Sequence, residues 1–119
     1  MHFEDGSGLS RRTLVTPRAV VALLKHMNRR PEREWDALLP IGGEDGSLAR
    51  RFDKSPKAAA LHAKTGTLAT VNALSGYITT RRGRRLIFSM IANNQIVPAA
   101  EIRKAADKIG LALIDWDGR

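Results

Sequence analysis

The chain has 119 residues, of which 43% are hydrophobic and 27% charged. This length and balance suit one globular domain over residues 1–119 and exclude a disordered chain. Because the sequence has no cysteine, it excludes disulfides and thiolate metal sites. No apolar run is long enough for a membrane span, and the first residues have no basic-then-apolar signal peptide. The sequence predicts no metal site and no cofactor.

The net charge is +8, from 20 Lys and Arg against 12 Asp and Glu. One interpretation is an anionic partner: nucleic acid, anionic lipid or another anionic polymer. The other is a solvated basic surface, which we favour because the basic residues occur as scattered pairs rather than as one stripe. Aromatic residues make up only 5%, too few for a base-stacking platform. We therefore expect no nucleic acid partner and keep a basic binding module as the alternative function.

Helices are predicted in the first half of the chain. Thr16 can cap a helix whose first residue is Pro17, and apolar residues then recur at helical spacing up to Met27. Pro31 predicts the start of a second, shorter helix that Pro40 ends. A flexible turn region follows, with one helical turn over residues 48–52.

Strands are predicted from residue 61 onward. The first covers residues 62–67 and the second covers residues 71–80, with Gly76 indicating a bulge or a close backbone approach. Gly83 marks a hairpin turn before a third strand over residues 85–92. This strand is nearly all apolar, so we expect it to be central and covered on both faces. A last helix begins at Pro98, and its apolar face comprises Ile102, Ala105, Ala106, Ile109 and Leu113. The predicted class is α+β, an antiparallel sheet of three strands with helices packed on it.

The first strand carries the sequence Lys64-Thr65-Gly66 and continues to Thr67. Lysine supplies a point charge and threonine a hydroxyl, which together suit a carboxylate or a carbonyl oxygen. Glycine removes a side chain where another backbone or a ligand comes close. A charged lysine is rarely buried without a partner, so we expect Lys64 and Thr65 at an exposed sheet edge. Lys-Thr-Gly is also one of three signature pieces of penicillin-recognising serine acyltransferases.

Several further segments accompany the motif in order, namely Asp5-Gly6-Ser7-Gly8-Leu9-Ser10, Val15-Thr16-Pro17-Arg18, Leu39-Pro40, Asp45-Gly46-Ser47-Leu48 and Ala73-Leu74-Ser75-Gly76-Tyr77. With them the chain resembles the C-terminal part of the D-alanyl-D-alanine carboxypeptidase/endopeptidases, the low-molecular-mass class C penicillin-binding proteins. The resemblance implies part of the β-lactamase/transpeptidase-like fold. It also implies a periplasmic or envelope location for the complete enzyme, and as partners peptidoglycan peptides ending in D-Ala-D-Ala and β-lactams.

The resemblance also implies roles for four residues. Lys64 is the expected catalytic residue, supplying positive potential beside a nucleophilic serine. Thr65, Gly66 and Thr67 are the expected substrate-binding residues. The Thr65 hydroxyl would hold the terminal carboxylate of the substrate, and the Thr67 backbone N–H would form half of an oxyanion hole. The peptide substrate would pair with this strand edge as an added strand.

The nucleophile itself is missing from the sequence. The six serines are Ser7, Ser10, Ser47, Ser55, Ser75 and Ser89, and none of them begins Ser-x-x-Lys or Ser-x-Asn. In the family these pieces precede the matched segments. We therefore expect the chain to be the C-terminal portion of a longer enzyme and to be inactive alone.

Overall fold

The computed structural model describes residues 1–29 and 34–118. The long elements are helix α1 (Pro17–Asn28), strands β1 (Leu61–Leu68), β2 (Val71–Thr79) and β3 (Arg85–Asn93), and helix α3 (Ala99–Asp115), with the short helix α2 (Glu34–Ala37) after α1. The predicted start of α2 at Pro31 lies outside the described residues. Single 3-10 turns cover residues 46–48, 52–54 and 56–60. Among the described residues, no helix is both long and apolar enough to cross a bilayer.

The start of α1 is the predicted one. Thr16 has extended backbone angles, and its Oγ1 accepts a hydrogen bond from the N–H of Ala19 at 3.2 Å, which satisfies one of the free donors of the first turn. Pro17 takes the first helical position, where no N–H is needed. Lys25 and His26 lie in the last turn, where the helix dipole favours positive charge.

The three strands form an antiparallel sheet in the order β1-β2-β3. The predicted strands and the α+β class are therefore confirmed, but the central position predicted for β3 is wrong. The central strand is β2, because consecutive hairpins place the middle strand between its neighbours. β3 is rich in apolar residues because it packs on both faces: Ile87 lies against the cluster under α1, and Phe88 lies in the cluster under α3.

Each face of the sheet carries its own hydrophobic cluster. On one face, Tyr77 of β2 packs with Leu24 of α1 and Leu39, and the Tyr77 hydroxyl donates to the carbonyl of Leu24 at 2.8 Å. On the other face, Leu74 and Ile78 of β2 pack with Ile114 of α3. Because side chains alternate along a strand, these contacts assign every strand residue to the α1 face or to the α3 face.

Gly76 is a position where β2 lies close against β1. A Cβ added to this residue would lie 2.1 Å from the carbonyl oxygen of His62 and 2.8 Å from the Cβ of Ala63. Pairing with β1 and β3 continues through Gly76 without an inserted residue. Of the two predicted alternatives, the close approach is therefore confirmed and the bulge is not.

Helix α3 packs through a stripe that shares only part of the predicted face: Ala106 and Leu113 pack against the core as predicted, whereas Ala105 and Ile109 are exposed. Ala106, Gly110 and Ile114 lie four residues apart; Gly110 and Ile114 are buried, and Ala106 packs against the core. A Cβ on Gly110 would lie 3.1 Å from Leu61, so the glycine allows the helix to approach the sheet. Ile109, predicted to face the core, is 50% exposed. Gly110 weakens helix propensity, but its lack of a side chain lets this side of α3 pack closely on the sheet.

A largely buried ion pair joins α3 to the turn over residues 52–54. The carboxylate of Asp107 accepts from Arg51 Nε at 2.9 Å and from the N–H of Phe52 at 3.1 Å, and the Arg51 and Asp107 side chains are only 12% and 14% exposed. Phe52 begins three consecutive residues with φ of +62°, +49° and +55°. This is the left-handed region that costs energy for residues other than glycine. The carboxylate therefore holds a strained turn whose Phe52 side chain is in the core.

Replacing Gly76 with alanine is expected to destabilise the chain by about 3 kcal/mol or more, because the added methyl overlaps the backbone of β1. The control is Gly6→Ala, where a Cβ meets nothing within 4 Å, and its expected effect is within about 0.5 kcal/mol. Urea unfolding followed by circular dichroism measures both changes. Equal unfolding midpoints for the two variants would contradict the packing described here.

Replacing Asp107 with asparagine is expected to cost about 2 kcal/mol, because it leaves the largely buried Arg51 guanidinium without a counter-charge. On the same helix, Glu101 pairs with Lys104 at 3.4 Å in an exposed position. Glu101→Gln therefore serves as the matched control, with an expected cost below about 0.5 kcal/mol. The same unfolding measurement compares the two variants, and an Asp107→Asn cost as small as that of the control would disprove the structural role of the pair.

Candidate functional site

The outer edge of β1 is covered along its first three residues only. The N–H of Ala63 donates to the carbonyl of Pro40 at 2.9 Å, and the N–H of Gly42 donates to the carbonyl of Leu61 at 2.9 Å. The segment around Ile41 thus pairs with the start of β1 as a short antiparallel bridge. Among the described residues, no strand pairs with the outer edge of β1 beyond this bridge.

The uncovered part of the edge runs from Lys64 to Leu68. Backbone groups of alternate residues in a strand point to the same side, and Leu61 and Ala63 use theirs outward, toward residues 40–42. By this alternation the N–H and C=O groups of Thr65 and Thr67 also point outward. The edge therefore offers two backbone donors and two backbone acceptors to an added strand, and one of these acceptors, the Thr65 carbonyl, also accepts from the Lys64 side chain.

Lys64 lies on this edge and is exposed, as predicted. Its Nζ donates to the carbonyl oxygen of Thr65 at 2.7 Å. Within the described part of the chain, no carboxylate lies within 4.0 Å of this ammonium. The positive charge of Lys64 is thus held at the outward face of the strand without a counter-ion from those residues.

Thr65 is half-buried and lies on the α3 face of the sheet, opposite to the face of Lys64. Its Oγ1 lies 2.9 Å from the Oγ of Ser47, and the two hydroxyls form a hydrogen bond. Ser47 belongs to the loop that follows the bridge at Ile41. The sequence gives no sign of this contact, because no local pattern pairs residues that are 18 positions apart.

The loop that carries Ser47 is fixed by its own hydrogen bonds. The carboxylate of Asp45 accepts from the N–H of Ile41 at 2.6 Å, and the N–H of Gly43 donates to the carbonyl of Leu48 at 3.0 Å. Leu48 is fully buried in the core under α3. Ser47 is exposed, and its neighbour Leu48 holds it beside Thr65, because Leu48 cannot move without opening the core.

Gly66 and Thr67 complete the predicted motif. A Cβ on Gly66 would meet only the Cβ of Ala73, at 3.5 Å, which is an ordinary contact, so the described chain itself does not require glycine here. Thr67 is exposed, and its Oγ1 lies 3.5 Å from Oδ1 of Asn72. Asn72 is a buried polar residue that donates to Gln95 at 2.8 Å. Sequence reasoning missed Asn72 because the pairing of β1 with β2 creates the contact.

The motif strand lies between two open cavities. One of about 460 Å³ lies on the α3 face, between Ile102 and Ile109 of the helix and Thr65 and Thr67 of the strand. The other, of about 680 Å³, lies between the N-terminal segment and the hairpin that joins β1 to β2, and includes Gly66. Residues 65–67 are thus accessible from both faces as well as from the edge.

The sheet also brings a serine opposite Lys64. Ser75 is the β2 residue directly paired with Lys64, and its side chain lies on the same face. The Ser75 hydroxyl is hydrogen-bonded to Ser89 at 2.8 Å, whereas the Lys64 ammonium bonds to Thr65. Neither serine therefore has the lysine as a hydrogen-bonding base.

The chain is similar to known carboxypeptidases over nearly its whole length. The model of the D-Ala-D-Ala carboxypeptidase 3 (S13) family matches residues 1–113. A D-alanyl-D-alanine carboxypeptidase of Actinomadura sp. (strain R39) is 39% identical over 96% of the chain, and penicillin-sensitive carboxypeptidase A of Dictyostelium discoideum is 32% identical over 92%. The chain spans 22% of the length of each of these relatives.

A solved structure has the same fold. Penicillin binding protein 4 (dacB) from Haemophilus influenzae, in complex with a β-lactam, superposes with a TM-score of 0.84 and 27% identity. The match covers 97% of this chain and 28% of that one. These similarities favour membership of a carboxypeptidase family over a basic binding module for nucleic acid or another anionic polymer. The chain belongs to the D-Ala-D-Ala carboxypeptidase 3 (S13) family of penicillin-binding carboxypeptidases.

Proposed function

We propose that this chain is the C-terminal portion of a serine-type D-Ala-D-Ala carboxypeptidase/endopeptidase, and that residues 64–68 bind the peptide substrate. The observation that carries the proposal is the open edge of β1 at the Lys-Thr-Gly motif. A peptide ending in D-Ala-D-Ala would align there as an added strand. In the complete enzyme, the location would be the periplasm or cell envelope, with β-lactams as competing ligands.

The four predicted residues would divide the recognition between them. The Thr65 hydroxyl would hold the terminal carboxylate, because a hydroxyl donates to an anionic oxygen in a charge-assisted hydrogen bond. Gly66 would leave room for the substrate backbone. The outward N–H of Thr67 would stabilise the negative oxygen that develops when the peptide carbonyl is attacked.

The ammonium of Lys64 would supply positive potential near the reacting serine. Its support is the absence of any carboxylate within 4.0 Å among the described residues, which leaves its charge available to a ligand. The serine itself would come from the Ser-x-x-Lys piece that this sequence lacks. We therefore propose that the chain retains a binding edge and lacks a nucleophile, so that it hydrolyses no peptide alone.

The chain is expected not to be labelled by a fluorescent penicillin. Acylation needs a nucleophile activated by a neighbouring base, and the Ser75 hydroxyl is bonded to Ser89 instead. Denaturing gel electrophoresis after incubation measures labelling, with Ser75→Ala as the matched variant because Ser75 faces Lys64. A band present in the original chain and absent in Ser75→Ala would contradict the proposed division of roles.

A further prediction concerns binding of a substrate-like peptide. N-acetyl-D-alanyl-D-alanine is expected to shift the amide signals of residues 64–68 in nuclear magnetic resonance titrations. Thr65→Val keeps the shape of the side chain and removes the hydroxyl, so it is expected to weaken this binding about tenfold. Thr79→Val is the control, because Thr79 is exposed at the far end of β2. Equal dissociation constants for the two variants would rule out a carboxylate contact by Thr65.

A further inference from the structure

We infer that Ser47 is a positioning residue that sets the direction of the Thr65 hydroxyl and so controls recognition of the substrate carboxylate. This inference rests on the proposed function of Thr65. It starts from the 2.9 Å hydrogen bond between the two hydroxyl oxygens. Ser47 would act through Thr65, without touching the reacting atoms.

The direction of this hydrogen bond decides what Thr65 can bind. The 2.9 Å separation of the two oxygens allows either hydroxyl to be the donor. A carboxylate has no proton to give, so Thr65 can hold it only by turning its own proton toward the ligand. The Thr65 oxygen then needs a donor, and the Ser47 hydroxyl can supply it. The result is a chain in which Ser47 donates to Thr65 and Thr65 donates to the carboxylate, each bond strengthening the next.

Contacts of the residues on both sides of Ser47 fix its position beside Thr65. Leu48, the next residue, is fully buried, and its N–H donates to the carbonyl of Asp45 at 3.1 Å. On the other side of Ser47, a Cβ on Gly46 would lie 3.1 Å from the Pro40 ring, at a φ of +49°. Pro40 in turn bonds to Ala63 of β1. The positions of Ser47 and Thr65 are therefore both fixed relative to β1.

The same arrangement gives selectivity between a carboxylate and an amide. A C-terminal amide presents its own N–H donors, which can satisfy Thr65 without a second hydroxyl. Loss of Ser47 should therefore weaken binding of a free carboxylate while leaving binding of the corresponding amide unchanged. A residue with only a structural role would affect both ligands alike.

The test compares Ser47→Ala with Ser47→Thr, which restores the hydroxyl, and with Ser7→Ala. Ser7 bonds within its own loop, to Asp5 and Leu9, so its loss is a matched control. The first readout needs no ligand: three-bond couplings of the Thr65 γ-methyl report its χ1 angle. We expect one rotamer in the original chain, Ser47→Thr and Ser7→Ala, and averaging in Ser47→Ala. Unchanged couplings in Ser47→Ala would overturn the inference whatever the ligand results are.

The second readout is affinity for N-acetyl-D-alanyl-D-alanine and for its C-terminal amide. Ser47→Ala is expected to weaken binding of the acid about threefold to tenfold, with no change for the amide and recovery in Ser47→Thr. An equal loss for both ligands, or no loss, would overturn the inference. If the original chain binds neither ligand, the proposed function fails, and the χ1 couplings alone still decide whether Ser47 positions Thr65.

Discussion

The outer edge of β1 is covered at residues 61–63 and open from Lys64 onward, and the candidate site depends on this arrangement. Two hydrogen bonds, from Ala63 to Pro40 and from Gly42 to Leu61, occupy the outward backbone groups at the start of the strand. They fix which residues face outward and leave the next two outward positions to Thr65 and Thr67. An open sheet edge is usually a liability, because it invites pairing with other chains. Here the open part is short and contains the motif.

The packing behind the strand keeps this edge in place. Gly76 lets β2 pass against Ala63 without a side chain between them, and Gly110 brings α3 against Leu61. Both glycines cost conformational entropy in their elements. In return, the first half of β1 is fixed in the core while its second half is exposed. A strand that is buried at one end and open at the other can present groups to a ligand without moving.

The loop over residues 41–48 connects the core to the site. Its Leu48 side chain is buried, its backbone covers the start of β1, and its Ser47 hydroxyl contacts Thr65. One loop therefore sets both the length of the open edge and the hydrogen bonding of the threonine on it. This explains why a segment distant in sequence belongs to the same site as the motif.

The sequence by itself determined the class of the fold, the three strands, the cap of α1 and the exposed lysine, because alternation, capping and charge act over a few residues. The motif and its accompanying segments also indicated the family. Only the tertiary structure decided that β2 is the central strand, that α3 packs through Gly110, and that Ser47 and Asn72 contact the motif threonines. These are contacts between residues distant in the chain. The pairing of strands and loops creates them, and no local pattern encodes that pairing.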